Sequence, residues 1–416
     1  MKILLANRTA YPTIGGVENS LRYMGRELRK LGHEVKILCF QLTADEPLRC
    51  THEDIEIIRV PYTTARWPHK RLQNAVATAE AAIPGIMKEF SPDAVWSRST
   101  PVGLGIRRGG YTGPLLQIFP TNAKMNCRGL YLQTHGLPWK RRLMLLGLWP
   151  TEYFLAARLE RELARQCSVI AFSENMRRQL LAGFPKGGGP CHVIPPGVDP
   201  DSYSPEQGAQ YFERIEKDYG IDPGEPVVLY VGRLSTAKHI PMLMDAVAAL
   251  KAKAKLVLVG AGPDEARLRA YGTKLGLGER LIFAGVHRDM LPGFYAISRV
   301  SVLPTTTESF GQVYLESLAA GTPVVGFAGD GKKILTATSE IVRDGETGVV
   351  AQEVSADSLG KSIGAILSLD DRDYDAMAKE ARADVQARYS WRCFVEAALA
   401  LSNKPTSKKT PEAANA

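Results

Sequence analysis

The alternation of strand-like and helix-like segments in this chain stops at one proline-rich passage and then begins again. Val193-Ile194-Pro195-Pro196-Gly197-Val198-Asp199-Pro200 can form neither a central strand nor a helix interior, because proline lacks the N–H that a hydrogen-bond ladder needs. Before it, Ile3 to Ala6 reads as a buried strand, Val17 to Leu31 as a helix and Val35 to Phe40 as a second strand, with Gly32-His33 as the helix stop. After it the series restarts. Strands are predicted at Val227 to Val231, Leu256 to Val259, Leu281 to Phe283, Val300 to Leu303 and Pro323 to Gly326. Helices are predicted at Pro241 to Leu250, Pro263 to Leu275 and Val313 to Ala320. Such alternation implies an α/β chain whose parallel sheets are doubly wound. At 416 residues the chain is too long for one ordinary core, so two Rossmann-like domains facing a cleft are expected.

The expected boundaries are 1–198 for the first domain and 199–388 for the second. A helix at 389–403 would follow, then a polar, proline-containing tail at 404–416 that should be disordered. The opening residues meet Arg8 before a signal-peptide core could form, and Leu143 to Trp149 falls far short of the roughly 20 apolar residues of a membrane span. Cys39, Cys50, Cys127, Cys167, Cys191 and Cys393 contain no C-x-x-C pair, which fits neither a zinc site nor a disulfide framework and points to a reducing cytoplasm. The net charge of +8 is uneven, with about +12 over residues 1–195 and about −4 beyond. Basic runs interleaved with aromatics are missing, which argues against a nucleic-acid partner. The stretch Leu137 to Trp149 is basic, aromatic and apolar, and suits either a packed helix or peripheral contact with an anionic membrane.

In open α/β sheets, ligands bind beyond the carboxyl ends of the strands. Past Val231 the chain reads Gly232-Arg233-Leu234-Ser235-Thr236-Ala237-Lys238, two cations suited to a pyrophosphate: a forked guanidinium and a point charge. This is no Walker A loop. The turn Val259-Gly260-Ala261-Gly262-Pro263-Asp264-Glu265 lacks the third glycine of a dinucleotide fingerprint and fits a structural role equally well. Past Leu303 comes Pro304-Thr305-Thr306-Thr307-Glu308-Ser309-Phe310-Gly311-Gln312-Val313-Tyr314-Leu315-Glu316. There Glu308 sits at the strand exit, Ser309 can cap a helix, and Glu316 falls two turns in, so both carboxylates can face the crevice. The free amides at such a helix mouth suit an anion.

These residues resemble glycosyltransferase family 4, the retaining enzymes of the GT-B fold. The likeness is close over about 225–350 and looser over 1–40 and 190–205; its most specific part is the E-x7-E pair Glu308 and Glu316. The resemblance implies that Arg233 and Lys238 hold the donor diphosphate, that Glu308 contacts the transferred sugar, and that Glu316 contacts the ribose. It places Phe310, Gly311, Gln312 and Val313 against sugar or phosphate and Val286 near the base. It assigns Gly15 and Gly16 to the glycine-rich loop that lets backbone approach the donor, and sends the last helix, from Trp391, back onto the first domain.

Three departures stand out. The histidine that the family often places after the strand preceding the acceptor loop is missing from Leu115 to Asn122, leaving His135 and Asn122 as acceptor-side candidates. His239 stands where a glycine commonly follows the motif lysine. Extra residues, Lys332 to Ser339, follow Gly329-Asp330-Gly331.

The expected activity is thus metal-independent, retaining hexosyl transfer from a nucleotide-sugar to a saccharide or lipid-linked saccharide in envelope or extracellular polysaccharide assembly, with catalytic roles for Glu308, Arg233 and Lys238. No cofactor and no metal is expected: Asp199-Pro200-Asp201 and Asp371-Arg372-Asp373 spell D-x-D only by chance placement. The competing readings are a small natural-product acceptor, a nucleotide-sugar epimerase or phosphorylase, and a protein that only binds.

Overall fold

A computed structural model describes residues 1–11, 16–123, 125, 153–184, 188–222, 224–287 and 289–403. Gly15, His135, Cys127, the stretch Leu137 to Trp149 and the tail lie outside the described residues.

The first sheet holds β1 (Lys2–Ala6), β2 (Glu34–Gln41), β3 (Arg49–His52), β4 (Ile55–Pro61), β5 (Ala94–Ser97), β6 (Leu115–Phe119), β7 (Ser168–Ala171) and β8 (Cys191–Val193). Their spatial order is β3-β4-β2-β1-β5-β6-β7-β8, and every pairing is parallel except β3 with β4. The second sheet holds β9 (Val227–Val231), β10 (Lys255–Val259), β11 (Leu281–Gly285), β12 (Val300–Leu303), β13 (Val324–Phe327) and β14 (Gly348–Ala351). Its order is β11-β10-β9-β12-β13-β14, parallel throughout. Helices cover both faces of each sheet, so Ile3, Leu4 and Leu5 on β1 and Val227, Val228 and Leu229 on β9 are fully buried on alternating sides. Among the described residues no helix is long and apolar enough to cross a membrane.

Strand order reverses between β1 and β5 in the first sheet and between β9 and β12 in the second. These are the two places where loops splay apart and leave a crevice.

Two chain crossings join the domains side by side. Val198 bridges Ser390, and its N–H donates to the Tyr389 carbonyl at 2.9 Å. The helix Trp391–Ser402 then returns to the first domain, where Trp391 stacks on Tyr23 at 5.9 Å and Trp96 Nε1 donates to Ser402 Oγ at 2.9 Å. Elsewhere the Glu340 carboxylate accepts the N–H groups of Glu174 and Asn175 at 2.6 and 2.8 Å, capping the helix Glu174–Gly183 from the opposite domain. Ser173 Oγ, just beyond β7, donates to the Ser309 carbonyl, just beyond β12, at 3.1 Å. The carboxyl ends of the two sheets are therefore turned towards each other.

Candidate active site

The loop leaving β9 and the loop leaving β12 meet at the second sheet's switch point. Lys238, in the short 3-10 turn Thr236–Lys238, donates from Nζ to Glu308 Oε2 at 2.7 Å, and both side chains keep about a quarter of their surface open. Seventy residues of chain separate them, and strand order alone brings them together. Arg233 is exposed and, among the described residues, its guanidinium has no partner; its backbone is held by Tyr230 Oη, which donates to the Arg233 carbonyl at 3.0 Å. An unengaged guanidinium and, on the same strand-exit loop, an ammonium already at work on a carboxylate are cations suited to an incoming diphosphate.

His239 adopts φ +51°, the left-handed region, which explains the glycine common at this position; a histidine tolerates it here because Nε2 lies 3.1 Å from Thr306 Oγ1. Gly311 has φ +95° and precedes the helix Gln312–Ala319, whose first amides no side chain caps. The additional residues after Gly331 are folded onto this motif. Glu308 N–H donates to the Leu335 carbonyl at 2.9 Å and Leu335 N–H to the Thr306 carbonyl at 2.8 Å. At the root of that loop the Asp330 carboxylate accepts the amides of Lys332, Lys333 and Ile334, which hold it below the usual range.

Glu316 is partly buried and accepts from Tyr295 Oη at 2.8 Å. Burial raises its pKa, while the Tyr295 and Tyr203 hydroxyls pull it down. It also acts electrostatically on Tyr23 of the first domain, so it lies at the boundary between domains.

Other expected contacts fall out differently. The Phe310 ring is 3% exposed, edge-on to Phe172 at 6.4 Å and Tyr389 at 5.9 Å, and so acts as interdomain packing; only its backbone remains for a ligand. Gln312 Nε2 donates to the Gly197 carbonyl at 3.2 Å, tying the helix to the crossing. Val313 packs at the edge of the core, whereas Val286 is 63% exposed beyond β11. Gly16 starts the helix Gly16–Lys30 beside the first switch point. Asn122 is buried with both polar atoms engaged, Oδ1 taking the Met125 N–H at 2.8 Å and Nδ2 lying 3.8 Å from Met176 Sδ, so its role is that of a cap.

A second site lies at the first sheet's switch point. A cavity of about 320 Å³ opens there between the exits of β1 (Asn7, Arg8, Thr9) and β5 (Arg98, Ser99), with Glu160 on its far wall. Arg98 and Glu160 were not singled out from the sequence. The signal for Arg98 was its place directly after a strand; for Glu160, inside the helix 153–164, no such signal exists. Burial pushes the Glu160 carboxyl up to about 8, against the opposing pull of the Ala123 N–H, 2.8 Å from Oε1, and of Arg161. The folded pKa thus exceeds the roughly 4.3 of an unfolded chain. The associated stability is fully present below that value and is lost as pH rises towards 8. The melting temperature should therefore fall between about pH 5 and pH 8, and Glu160→Gln should flatten that fall; parallel curves for the two proteins would refute the assignment.

Two opposed doubly wound domains with paired crossings and a returning helix define the GT-B class of transferase folds. Residues 14–202 match the model described as Glycosyltransferase Family 4, and residues 212–384 the model described as Glycosyl transferases group 1. The chain belongs to this family of GT-B glycosyltransferases. Among curated relatives it is similar to a GDP-mannose-dependent alpha-(1-6)-phosphatidylinositol monomannoside mannosyltransferase of Mycolicibacterium smegmatis, 26% identical over 94% of this chain and 95% of the relative. Among solved structures it is similar to the sucrose-phosphate synthase of Thermosynechococcus elongatus, with TM-score 0.76, 22% identity and 96% and 98% of the two chains covered. Anabaena HepE, solved with UDP and glucose, superposes with TM-score 0.69 at 21% identity over 97% of this chain and all of that one.

Proposed function

We propose that this glycosyltransferase moves a hexose from a nucleotide-diphosphate sugar to a hydroxyl of a saccharide or lipid-linked saccharide, with retention of configuration and without a metal, in envelope or extracellular polysaccharide assembly. The observation that carries this reading is the Lys238–Glu308 pair at the second switch point, with Arg233 exposed on the same strand-exit loop as Lys238. Incoming phosphate oxygens would draw Lys238 from the carboxylate, freeing Glu308 to meet the sugar hydroxyls. Arg233, Lys238 and the helix-mouth amides at Gly311 then stabilise the charge that develops on the departing diphosphate, as a divalent ion does in other transferases. Domain closure excludes water and brings the acceptor hydroxyl to the face the diphosphate leaves.

Donor identity is tested by thermal shift with a panel of nucleotide-sugars, GDP-mannose first because the mycobacterial relative's name specifies it. A donor present at 100 times its dissociation constant should stabilise the protein by about 2.7 kcal/mol. Turnover in excess chelator and an α-configured product from an α-configured donor, read by NMR, are the expected results. Loss of activity on chelation or an inverted product would overturn the metal-independent, retaining reading.

A further inference from the structure

The cavity at the first switch point contains a buried cation that no described carboxylate pairs with. Arg98 is 5% exposed, and its Nε is buried without a hydrogen-bond partner. Among the described residues its side chain makes one hydrogen bond, a long one of 3.5 Å from Nη1 to the Val17 carbonyl, and its guanidinium lies 5.1 Å over the Phe172 ring. None of the described carboxylates pairs with it. Glu18, whose charge reaches it, accepts the Thr9 hydroxyl instead. Glu160, the other acid on the wall, is held largely protonated below about pH 8 and offers an O–H rather than a negative charge. Burial pushes the Arg98 pKa down to about 9, only partly offset by Glu18. An arginine buried without compensation costs several kcal/mol in principle, so a site that keeps one is built for an anion that arrives from outside.

We propose that the first-domain cavity binds a phosphate ester carried by the acceptor, with Arg98 as the residue that grips it. This rests on the transferase reading above and names the acceptor's chemistry. Every residue lining the cavity lies between 7 and 160, in the first domain, whereas the cations read for the donor diphosphate, Arg233 and Lys238, leave β9 of the second. Arg8, exposed at the same rim, adds positive charge, and Val17 and Glu18, in the first turn of the helix Gly16–Lys30, lie on the cavity wall. A forked guanidinium takes two phosphate oxygens at once, while Ser99 and the protonated Glu160 remain for neighbouring hydroxyls.

The test titrates the full chain, without donor, with inositol 1-phosphate, glucose 6-phosphate and inorganic phosphate against uncharged inositol and glucose. Phosphatidylinositol and phosphatidylcholine vesicles provide the lipid arm. The phosphate esters should bind on the order of 10- to 100-fold more tightly than their uncharged parents, and Arg98→Gln should abolish the difference. Arg98→Lys, which keeps the charge and loses the fork, should retain part of it. Binding confined to phosphatidylinositol vesicles and lost in Arg98→Gln would support the same chemistry with a lipid headgroup as its source. Equal binding of charged and uncharged probes, no binding by any probe, or an undiminished preference in Arg98→Gln would overturn the proposal. So would an Arg98→Gln protein that loses nucleotide-sugar binding instead, because the anion would then be the donor diphosphate. Donor binding is measured separately on the same variants, which distinguishes a failed acceptor assignment from a failed transferase reading.

Discussion

Lys238→Ala should lower kcat by on the order of 10² to 10³ while moving the melting temperature by no more than about 4 °C. The two halves of that expectation have different origins. In the unliganded protein Lys238 is engaged with Glu308 in a pair whose members retain 23% and 24% of their side-chain exposure. Pairs this open contribute only about 0 to 1 kcal/mol, because water screens the charges and two side chains must be immobilised. When diphosphate charge develops in the closed, drier site, the same ammonium acts where screening is weak, and its loss is felt chiefly in the transition state. The loss should therefore fall on kcat more than on KM, and Arg233→Ala should behave similarly, since that side chain has no described partner whose loss could unfold anything. Glu308→Gln offers an independent check. It keeps the side chain's shape and leaves Lys238 free for phosphate, so nucleotide diphosphate binding should hold or tighten while transfer falls. Unchanged kcat/KM in Lys238→Ala would remove the central support of the functional reading.

Much of this architecture could be read from the sequence because parallel strands buried on both faces are short, continuous apolar runs. Val227–Val231 and Val300–Leu303 coincide with their expected bounds, and the helix Trp391–Ser402 falls inside the expected 389–403. The edge strand Arg49–His52 carries no such run and pairs antiparallel with β4, so nothing in its pattern marked it. The residues proposed for the donor could be picked out for a related reason: strand exits are where ligands bind, and Lys238 and Glu308 both follow recognisable strands. Arg98 also follows a strand, yet a cation after a four-residue run looks the same on paper whether it is solvated or buried. Only the packing of Phe172 and the wall around it makes the difference. Phe310 is the converse case. Its neighbours in sequence line the candidate site, but its ring is drawn into the seam between domains by Phe172 and Tyr389, two residues far away along the chain.

The donor loop depends on a support that contributes no side chain, and this leads to the second large effect. Gly260, leaving β10, has φ +141°, and a Cβ built there would lie 2.0 Å from the Gly232 carbonyl oxygen. Backbone is in contact with backbone, so no side chain can swing aside to relieve the clash. The two loops are also laced together: Gly232 N–H donates to the Val259 carbonyl at 2.9 Å, and Leu234 N–H to the Ala261 carbonyl at 3.0 Å. The turn read from sequence as equally suited to structure or ligand is thus the bed on which Arg233 and Lys238 rest. Gly260→Ala combines an unfavourable φ with a forced backbone shift, roughly 1 to 3 kcal/mol each, so a loss of about 2 to 6 kcal/mol is expected. The melting temperature of the second domain should drop by about 5 to 15 °C. Unlike Lys238→Ala, this variant should lose stability and turnover together, because displacing Gly232 moves both cations. Gly85→Ala provides the opposite sign: Gly85 lies in the helix Pro68–Phe90 with nothing within 4 Å of its added Cβ, and alanine there should stabilise by up to about 1 kcal/mol. If Gly260→Ala melted like the wild type and kept its turnover, the contact between the β9 and β10 exits would not be what positions the diphosphate cations.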